Sequence, residues 1–185
     1  MGTIADLSAD AAGCTRCALA VGRTQVVFGD GAPDARVVIV GEAPGRDEDL
    51  QGRPFVGRSG QLLERLLGEE AGLSRADCYI TNVCKCRPPG NRDPDAAEVA
   101  ACRPWLEGQM EVLRPAVVLT LGNFAARALL QTTEGITRLR GRTYPFGSAV
   151  LVPTFHPSAA LRGNPVAMAG LRADLVRVAS VLGAA

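Results

Sequence analysis

A glutamate, an asparagine and a histidine each stand where an apolar run of this chain ends. Glu42 follows VVIVG, Asn82 ends CYITN, and His156 follows VPTF. A carboxylate can position water or balance positive charge, a carboxamide offers a hydrogen-bond donor beside an acceptor, and an imidazole can donate to developing negative charge. Each residue also has a plain structural interpretation, as a salt-bridged loop carboxylate, a capping asparagine and a hydrogen-bonded histidine.

The segment after the first apolar run is dense in polar groups. Pro44 and Gly45 predict a sharp turn in a loop, and the charged residues of this loop are Arg46, Asp47, Glu48 and Asp49. The loop ends in PFVG, where the Phe55 ring either stacks on a planar ligand or packs in the core. Ligands of open α/β sheets bind just past the carboxyl ends of the strands. We therefore expect this loop to form one wall of an active site, with Asp47 and Asp49 as surface charge.

Cysteines form the second candidate chemical group. There are six: Cys14, Cys17, Cys78, Cys84, Cys86 and Cys102. Cys14-x-x-Cys17 has the spacing of a metal-chelating pair, and two later cysteines, Cys86 and Cys102, can complete a four-thiolate set. Zinc and an iron–sulfur cluster suit such a set equally, and unrelated buried cysteines are a further alternative. Cys78 falls in a predicted strand and is expected in the core, while spacing alone does not decide between Cys84 and Cys86.

Four predicted strands alternate with predicted helices. The strands cover residues 36–40, 78–83, 116–121 and 149–153, and the helices cover about 57–72, 94–113, 123–130 and 165–182. Ser8 and Asp93 are candidate helix caps. This alternation predicts a three-layer α/β/α fold with a mostly parallel central sheet of about four strands. The loops that carry Glu42, Asn82 and His156 should then meet at one edge of the sheet.

Length and composition favour one globular domain over residues 1–185. Hydrophobic residues make up 47% of the chain, and the formal net charge of +1 argues against coating nucleic acid by bulk electrostatics. No run approaches the ~20 apolar residues of a membrane span, and the N-terminus lacks the features of a signal peptide. We expect a cytoplasmic protein without membrane association, where cysteines more often bind metal than form disulfides.

Three segments together resemble the family 4 uracil-DNA glycosylases. They are GEAPGRDEDLQGRPFVGRSG, TNVCKCRPPGNRDP followed by CRPWL, and TFHPSAAL. The resemblance runs from Cys14 to Leu161, with the segments in the family's order. It implies a 4Fe–4S cluster, and it selects Cys86 over Cys84 as a ligand because the family's cysteine follows the lysine. The implied ligands are Cys14, Cys17, Cys86 and Cys102.

The resemblance also implies an activity, the removal of uracil from DNA by hydrolysis of the N-glycosidic bond. Such an enzyme needs a pocket for a flipped-out base and groups that stabilise the departing anion and the positively charged sugar. Phe55 is expected to stack on uracil, Asn82 to read its O4 and N3–H, and His156 to donate a hydrogen bond to its O2. Glu42 is expected to position or activate water and to offset positive charge on the sugar.

Further site residues are implied around this pocket. Ala43 would contribute through its backbone, and Glu48 would wall off the 5-position against thymine. The segment PSAALR resembles the family's DNA-intruding loop, in which Ser158 holds a phosphate and Leu161 fills the gap left by the base. Arg162 completes this predicted DNA-binding set. Either the DNA backbone or solvent is expected to face a basic stretch formed by Arg138, Arg140 and Arg142.

Several alternatives can be weighed on the same sequence. Lys85 is the only lysine and lies beside Cys86, so no Schiff-base strand cleavage is expected and the product should be an abasic site. The related DNA-cross-linking glycosylases carry a histidine in a basic insertion after the second strand, whereas this loop is the compact CRPPGNRDP. A non-catalytic iron–sulfur protein would explain the cysteines but not the polar residues at the strand ends, and no GxGxxG favours a dinucleotide-binding domain. We expect a monomer that acts on uracil-containing DNA.

Overall fold

The computed structural model describes residues 2–184, which contain a six-stranded sheet. The strands are β1 (Asp30–Gly31), β2 (Val37–Gly41), β3 (Cys78–Asn82), β4 (Val117–Leu121), β5 (Tyr144–Phe146) and β6 (Ala149–Thr154). Their order across the sheet is β1-β3-β2-β4-β6-β5; the four central strands are parallel and the two edge strands are antiparallel. The predicted α/β fold with a mostly parallel sheet is confirmed, and the four predicted strands are the central ones.

The sequence does not predict the two edge strands, because both are short and lack a branched apolar run. β1 contains two residues, and β5 contains three with Pro145 in its centre. Proline is tolerated at the edge of a sheet, where one side of the strand has no partner to which an N–H must donate. The central sheet therefore has six strands and not about four.

The register of the central strands decides which loops come together. Every residue of β2, β3 and β4 is buried, as expected for strands covered on both faces. β2 lies between β3 and β4, with Val37 opposite Cys78 on one side and Val117 on the other. At the carboxyl end of the same register, Gly41 lies opposite Asn82. The residues that follow these strands therefore share one edge of the sheet.

Helices cover both faces of the sheet. The α-helices of residues 2–184 are α1 (Ile4–Ala12), α2 (Leu19–Gly22), α3 (Arg46–Gln51), α4 (Arg58–Leu66), α5 (Ala96–Leu113), α6 (Gly122–Leu130), α7 (Ile136–Leu139), α8 (Pro157–Leu161) and α9 (Pro165–Ala184). A π-helical turn, Leu67–Ala71, continues α4. α4 and α9 pack on one face through side chains such as Leu63 and Leu171, and α5 and α6 pack on the other through Leu106 and Ala125. None of these described helices is long and apolar enough to cross a membrane.

Two predicted helix caps are wrong. α1 is capped by the Thr3 hydroxyl, so Ser8 lies inside the helix. α5 is capped by Asp95, whose Oδ1 accepts the Glu98 N–H at 2.8 Å, and not by Asp93. Both errors have the same origin, because several neighbouring polar residues can serve as a cap and only the tertiary path of the chain selects one. Asp93 is thereby left for another role.

The loop predicted after β2 contains a helix, and one of its charges is buried. α3 begins directly after Gly45, where the Glu48 carboxylate accepts the Gly45 N–H at 3.1 Å and caps the first turn. Asp47 is exposed, as predicted, but Asp49 is only 3% exposed. Both Asp49 oxygens accept the Thr24 N–H, at 2.9 and 3.1 Å. The surface interpretation of Asp49 is wrong, because this carboxylate ties the N-terminal segment to α3.

Candidate active site and cysteine cavity

Gly41 brings an aromatic ring and a carboxamide together at the end of β2. A Cβ atom at this position would lie 2.7 Å from Phe55 Cζ and would also overlap Asn82 Oδ1. Since neither neighbour could accept such a contact, only glycine allows both side chains to reach the backbone here. The predicted neighbourhood of Phe55 and Asn82 is therefore present, at the shared edge of β2 and β3.

Phe55 is held in an uncommon backbone conformation. Its φ is 53°, in the left-handed region that costs a non-glycine residue about 1–3 kcal/mol. The Arg75 guanidinium donates to Phe55 O at 3.1 Å and to Pro54 O at 2.6 Å. On the other side, Glu48 Oε1 accepts the Val56 N–H at 3.1 Å. The surrounding bonds thus fix the direction of a ring that is 8% exposed.

Glu48 is a hydrogen-bonding centre for this segment. One carboxylate oxygen accepts the Gly45 N–H at 3.1 Å, and the other accepts Val56 N–H and Gly57 N–H at 3.1 and 3.3 Å. Glu48 therefore joins the turn before α3 to the segment that carries Phe55. Its predicted contact with the 5-position of uracil stays a prediction, and the structure adds this positioning role.

His156 has a defined tautomer. The Ser158 N–H donates to His156 Nδ1 at 3.1 Å, and Ser158 Oγ lies 2.9 Å from the same nitrogen. Nδ1 therefore accepts, and the neutral imidazole carries its proton on Nε2. Burial, and next the positive charge of Arg162, lower the pKa of His156 to about 4. The ring lies 5.9 Å from that of Phe55 between centroids, tilted by 34°.

Glu42 lies against a second carboxyl group, that of Asp93. Burial is the first cause that raises the pKa of Glu42 to about 7, and the negative charge of Asp93 and a hydrogen bond to it follow. Two carboxyl groups in contact favour holding one proton between them. Sequence reasoning placed Asp93 at a helix cap and missed this pairing. The available signal was an acidic residue in the compact loop after β3, at the same sheet edge as Glu42.

Asn82 presents an unused acceptor. The residue is 2% exposed, yet its Oδ1 has no hydrogen-bond partner among the described residues. Its main-chain carbonyl, in contrast, accepts from Lys85 Nζ at 2.7 Å. Buried polar atoms are usually paired, so an orphan acceptor beside an aromatic ring indicates a ligand-binding position.

A cavity of about 1150 Å³ opens in front of the sheet edge. Its wall contains Glu42, Ala43, Asp93, His156 and Ser158 together with four arginines, Arg92, Arg103, Arg127 and Arg162. Phe55 and Asn82 are buried and lie outside this lining, which Phe55 contacts through the ring of His156. The structure thus divides the predicted site into an open, arginine-rich part and a buried part.

The predicted DNA-intruding segment forms α8 and its C-terminal turn. Leu161 is 37% exposed and shares a groove with two arginines of α4, Arg58 and Arg65. Arg162 Nη1 donates to Ser158 Oγ at 3.2 Å, which links the segment to the histidine. An apolar tip flanked by cations suits insertion into a nucleic acid beside its phosphates.

The basic stretch 138–142 does not act as one surface. Arg138 and Arg142 are exposed. Arg140 instead donates to the fully buried Asp174 at 2.9 Å and lies over the Phe155 ring at 5.3 Å. Arg140 is therefore ion-paired with a buried carboxylate and only 22% exposed, so it does not share the exposed surface of Arg138 and Arg142.

The four cysteines that the resemblance selects line one small cavity. They are Cys14, Cys17, Cys86 and Cys102. Cys84 lies outside this lining; its thiol donates to Cys102 and lowers the pKa of Cys102. Cys78 is fully buried in the core of the α4–α9 face, as predicted. Within residues 2–184, no three Cys, His, Asp or Glu side chains are arranged as a site for a single metal ion.

Each of the four sulfurs accepts a hydrogen bond from nitrogen. Trp105 Nε1 donates to Cys14 and Arg23 Nη1 to Cys86, both at 3.4 Å. The remaining two donors are main-chain groups: Lys85 N–H lies 3.2 Å from Cys102 Sγ, and Leu19 N–H bonds Cys17. N–H donors of this kind stabilise thiolates and tune the metal centres that thiolates hold.

Comparison with known proteins agrees with this arrangement. A family model of the uracil DNA glycosylase superfamily matches residues 28–175. The chain is 45% identical over 161 residues to a type-4 uracil-DNA glycosylase of Saccharolobus solfataricus, covering 83% of this chain and 74% of that protein. It is 49% identical over 156 residues to the type-4 enzyme of Thermotoga maritima, covering 82% and 79%. A type-5 uracil-DNA glycosylase of Pyrobaculum aerophilum is 36% identical over 141 residues, covering 68% and 62%. The chain belongs to the uracil-DNA glycosylase superfamily, and within it to the type-4 enzymes.

Proposed function

We propose that this protein excises uracil from DNA by hydrolysing the N-glycosidic bond, and that it leaves an abasic site. The observation that carries this function is the neutral His156, whose Nε2 proton is fixed by the Ser158 N–H bond at Nδ1 and whose ring lies beside Phe55. A neutral donor next to an aromatic ring, at the same sheet edge as Glu42 and Asn82, suits the departure of a planar anion.

The leaving base is the first chemical problem. Breaking the glycosidic bond places negative charge on uracil and positive charge on the sugar. The Nε2–H of His156 would donate to uracil O2 as this charge grows, a contribution of about 2.7–4 kcal/mol for donors of this type. Because the pKa of His156 is about 4, the ring stays neutral and keeps its tautomer throughout the neutral range.

Recognition of uracil is assigned to the buried part of the site. The flipped base would stack on Phe55, at about 1–3 kcal/mol for such contacts. The unpaired Asn82 Oδ1 would accept N3–H, and the amide nitrogen would donate to O4. Cytosine offers the opposite pattern of donor and acceptor, so the same amide orientation would leave two groups unpaired.

The carboxylate of Glu42, with Asp93 beside it, is proposed to act on the sugar and on the attacking water. Glu42, when ionised, would orient water and balance positive charge on the sugar. Burial and the negative charge of Asp93 would determine the pH at which Glu42 loses its proton and becomes a carboxylate. Ala43 lines the same cavity and is proposed to contribute its backbone.

DNA is proposed to lie across the arginine-rich cavity. Ser158 and Arg162 would contact phosphate, and Leu161 would occupy the space that the flipped nucleotide leaves. Glu48 is proposed to fix the Phe55 segment and to face the 5-position of the base. Only the exposed arginines of the stretch 138–142 would reach the backbone.

We also propose that the cysteine cavity holds a 4Fe–4S cluster. The four thiols surround a shared space and do not converge on one point, which suits a cluster whose cysteines bind different irons better than a single zinc ion. A bound cluster would supply a covalent cross-link among the N-terminal segment, the loop after β3 and α5. The four N–H donors to sulfur support this assignment.

The product should be an unbroken strand with an abasic site. A strand-cutting glycosylase needs a free amine, and Lys85 is 1% exposed with its Nζ bonded to three oxygens. The loop after β3 contains no histidine that could trap the sugar. Both observations favour hydrolysis over strand cleavage or cross-linking. We further propose that the protein acts as a monomer in the cytoplasm or at the nucleoid.

A labelled uracil-containing oligonucleotide tests the function directly. We expect a denaturing gel to show a shortened band only after alkali, since alkali cleaves abasic sites. A band shortened without alkali would indicate strand cleavage, and a slow band that survives denaturation would indicate cross-linking. An unchanged oligonucleotide in the presence of intact cluster would reject the glycosylase.

A further inference from the structure

A buried polar network lies directly behind the uracil-reading asparagine. Lys85 Nζ donates to Thr81 Oγ1 at 2.7 Å, to Asn82 O at 2.7 Å and to Gln109 Oε1 at 2.6 Å. These three bonds use all three protons of the ammonium group. Lys85 is 1% exposed and Gln109 is fully buried, so solvent does not share in the network.

The network is anchored away from the site as well. Gln109, on α5, donates through Nε2 to Phe28 O at 2.8 Å and to the Tyr79 hydroxyl at 3.3 Å. Thr81 Oγ1 also donates to Phe28 O at 2.8 Å. The ammonium of Lys85 is therefore held by side chains whose own positions are fixed by α5 and by the segment before β1.

Burial of the charged ammonium group of Lys85 is unfavourable in free energy. Isolated charges lose several kcal/mol of hydration in a protein interior, and an apolar side chain of similar length would avoid that loss. A lysine here is better explained by the direction of its bonds than by packing. One of these bonds gives a donor to the buried main-chain carbonyl of Asn82 at the end of β3, where Asn82 lies opposite Gly41 on β2.

Lys85 also contacts the cysteine cavity through its main chain. Its N–H donates to Cys102 Sγ at 3.2 Å, and the next residue, Cys86, lines the same cavity. Lys85 thus donates to the main chain of Asn82 through its side chain, and to a cavity thiol through its own main-chain N–H. No other described residue bonds to both places.

We infer that Lys85 is a positioning residue for uracil recognition: supported by Gln109, it fixes the main chain of Asn82 so that the Asn82 carboxamide keeps its direction, and it ties that direction to the cysteine cavity. The inference rests on the proposed function. The Asn82 side chain is attached to the Cα atom next to the carbonyl that Lys85 bonds. A small rotation of that peptide unit would therefore move Oδ1 away from N3–H of a bound base.

The test measures binding, so that it does not depend on turnover. The probes are two duplexes, one with a sugar-fluorinated deoxyuridine that resists cleavage and one with a stable abasic-site analogue. In Lys85→Met we expect the affinity for the uracil duplex to fall about tenfold, the usual effect of losing a hydrogen bond to a charged group, and the affinity for the abasic duplex to stay within about twofold. The abasic duplex has no base for Asn82 to read.

Two variants separate this role from general damage. Arg87→Met removes a positive charge on the other side of Cys86. Within the described part of the chain the Arg87 side chain donates to Asn91 near the surface and not to Asn82, so uracil affinity should be unchanged. Tyr79→Phe removes the network bond farthest from Asn82 and should also leave uracil affinity unchanged. Iron content and melting temperature of each variant establish that the cluster and the fold are retained.

If Lys85→Met does not fold, Gln109→Met serves in its place. It leaves Lys85 with two acceptors, and a smaller loss of uracil affinity, about threefold, is expected without loss of abasic-site affinity. Equal losses on both duplexes, or no loss on either, overturn the inference. Wild-type protein that does not prefer the uracil duplex over a thymine duplex overturns the proposed function as well, which distinguishes the two failures.

Discussion

The proton on His156 Nε2 is the smallest feature on which the proposed chemistry depends. It is placed there by a main-chain N–H, that of Ser158, which occupies Nδ1. Removal of the ring in His156→Ala removes the donor to uracil O2, and we expect kcat to fall about 10²–10³-fold, as for other donors to a developing anion. Single-turnover release of uracil is the measurement.

Ser158→Ala is the matched control for the histidine. It deletes the hydroxyl beside Nδ1 but keeps the N–H that sets the tautomer. Its effect on kcat should be small, with weaker DNA binding through loss of the predicted phosphate contact. A large loss of kcat in Ser158→Ala would show that the hydroxyl, and not the main chain, determines the state of His156.

We expect the ionisation of Glu42 to set the pH dependence of kcat/KM. Its pKa is raised to about 7 by burial and by Asp93, so the proton is still bound below that pH. If the carboxylate is the active form, kcat/KM should rise about tenfold per pH unit below about 7 and level off above it. His156, with a pKa of about 4, remains neutral over this range and adds no second limb.

Glu42→Gln tests this assignment. The variant should be slow at every pH, and its kcat/KM should no longer rise with pH below about 7, because no carboxylate remains to ionise. Asp93→Asn should move the limb to lower pH by removing the neighbouring negative charge, while retaining activity above it. A limb that persists in Glu42→Gln would assign the titration to another group.

At the scale of the element, the end of β2 depends on the close approach of Phe55 and Asn82 to Gly41. Gly41→Ala places a Cβ atom 2.7 Å from Phe55 Cζ and against Asn82. Since the Phe55 backbone is already held at positive φ, the ring has little freedom to move away. We expect the melting temperature to fall and uracil binding to weaken more than tenfold.

Gly57→Ala provides the comparison for Gly41. A Cβ atom at Gly57 would meet only Asp47 and Glu48 oxygens at 3.8 Å, an ordinary contact. Its uracil binding should resemble that of the wild type, measured by fluorescence on the same duplex. Equal behaviour of the two alanine variants would mean that Phe55 and Asn82 need not approach the β2 backbone.

At the scale of the whole molecule, the cysteine cavity joins segments that are distant in sequence. Cys14 and Cys17 come from the N-terminal segment, Cys86 from the loop after β3, and Cys102 from α5. Removal of iron by a chelator should lower the melting temperature and expose residues 13–23 to protease, because the sheet holds its own core but not this segment. Limited proteolysis with mass spectrometry measures the cleavage sites.

The metal content of the purified protein decides the cofactor. Iron and sulfide with visible absorbance are expected, and zinc in a four-thiolate site would correct the assignment. Identical melting and proteolysis with and without metal would show that the N-terminal segment is held by Asp49 and by apolar packing alone.

The strand predictions were confirmed where a local run of branched apolar residues determines the structure. Branched apolar runs such as VVIV favour strands locally, so the four central strands and the loops after them could be predicted from the sequence. The expected meeting of Glu42, Asn82 and His156 at one sheet edge follows from their positions at the ends of these strands.

The tertiary structure alone decided the contacts between distant segments. The pairing of Asp93 with Glu42, the burial of Asp49 against Thr24, the bond of Glu48 to Val56 and that of Lys85 to Gln109 each join residues that only folding brings together. The sequence by itself determined the family, the four central strands and the chemical groups, because these depend on local pattern and residue type. Protonation states, tautomer and side-chain direction required the folded structure, because they depend on burial and on the neighbours that folding supplies.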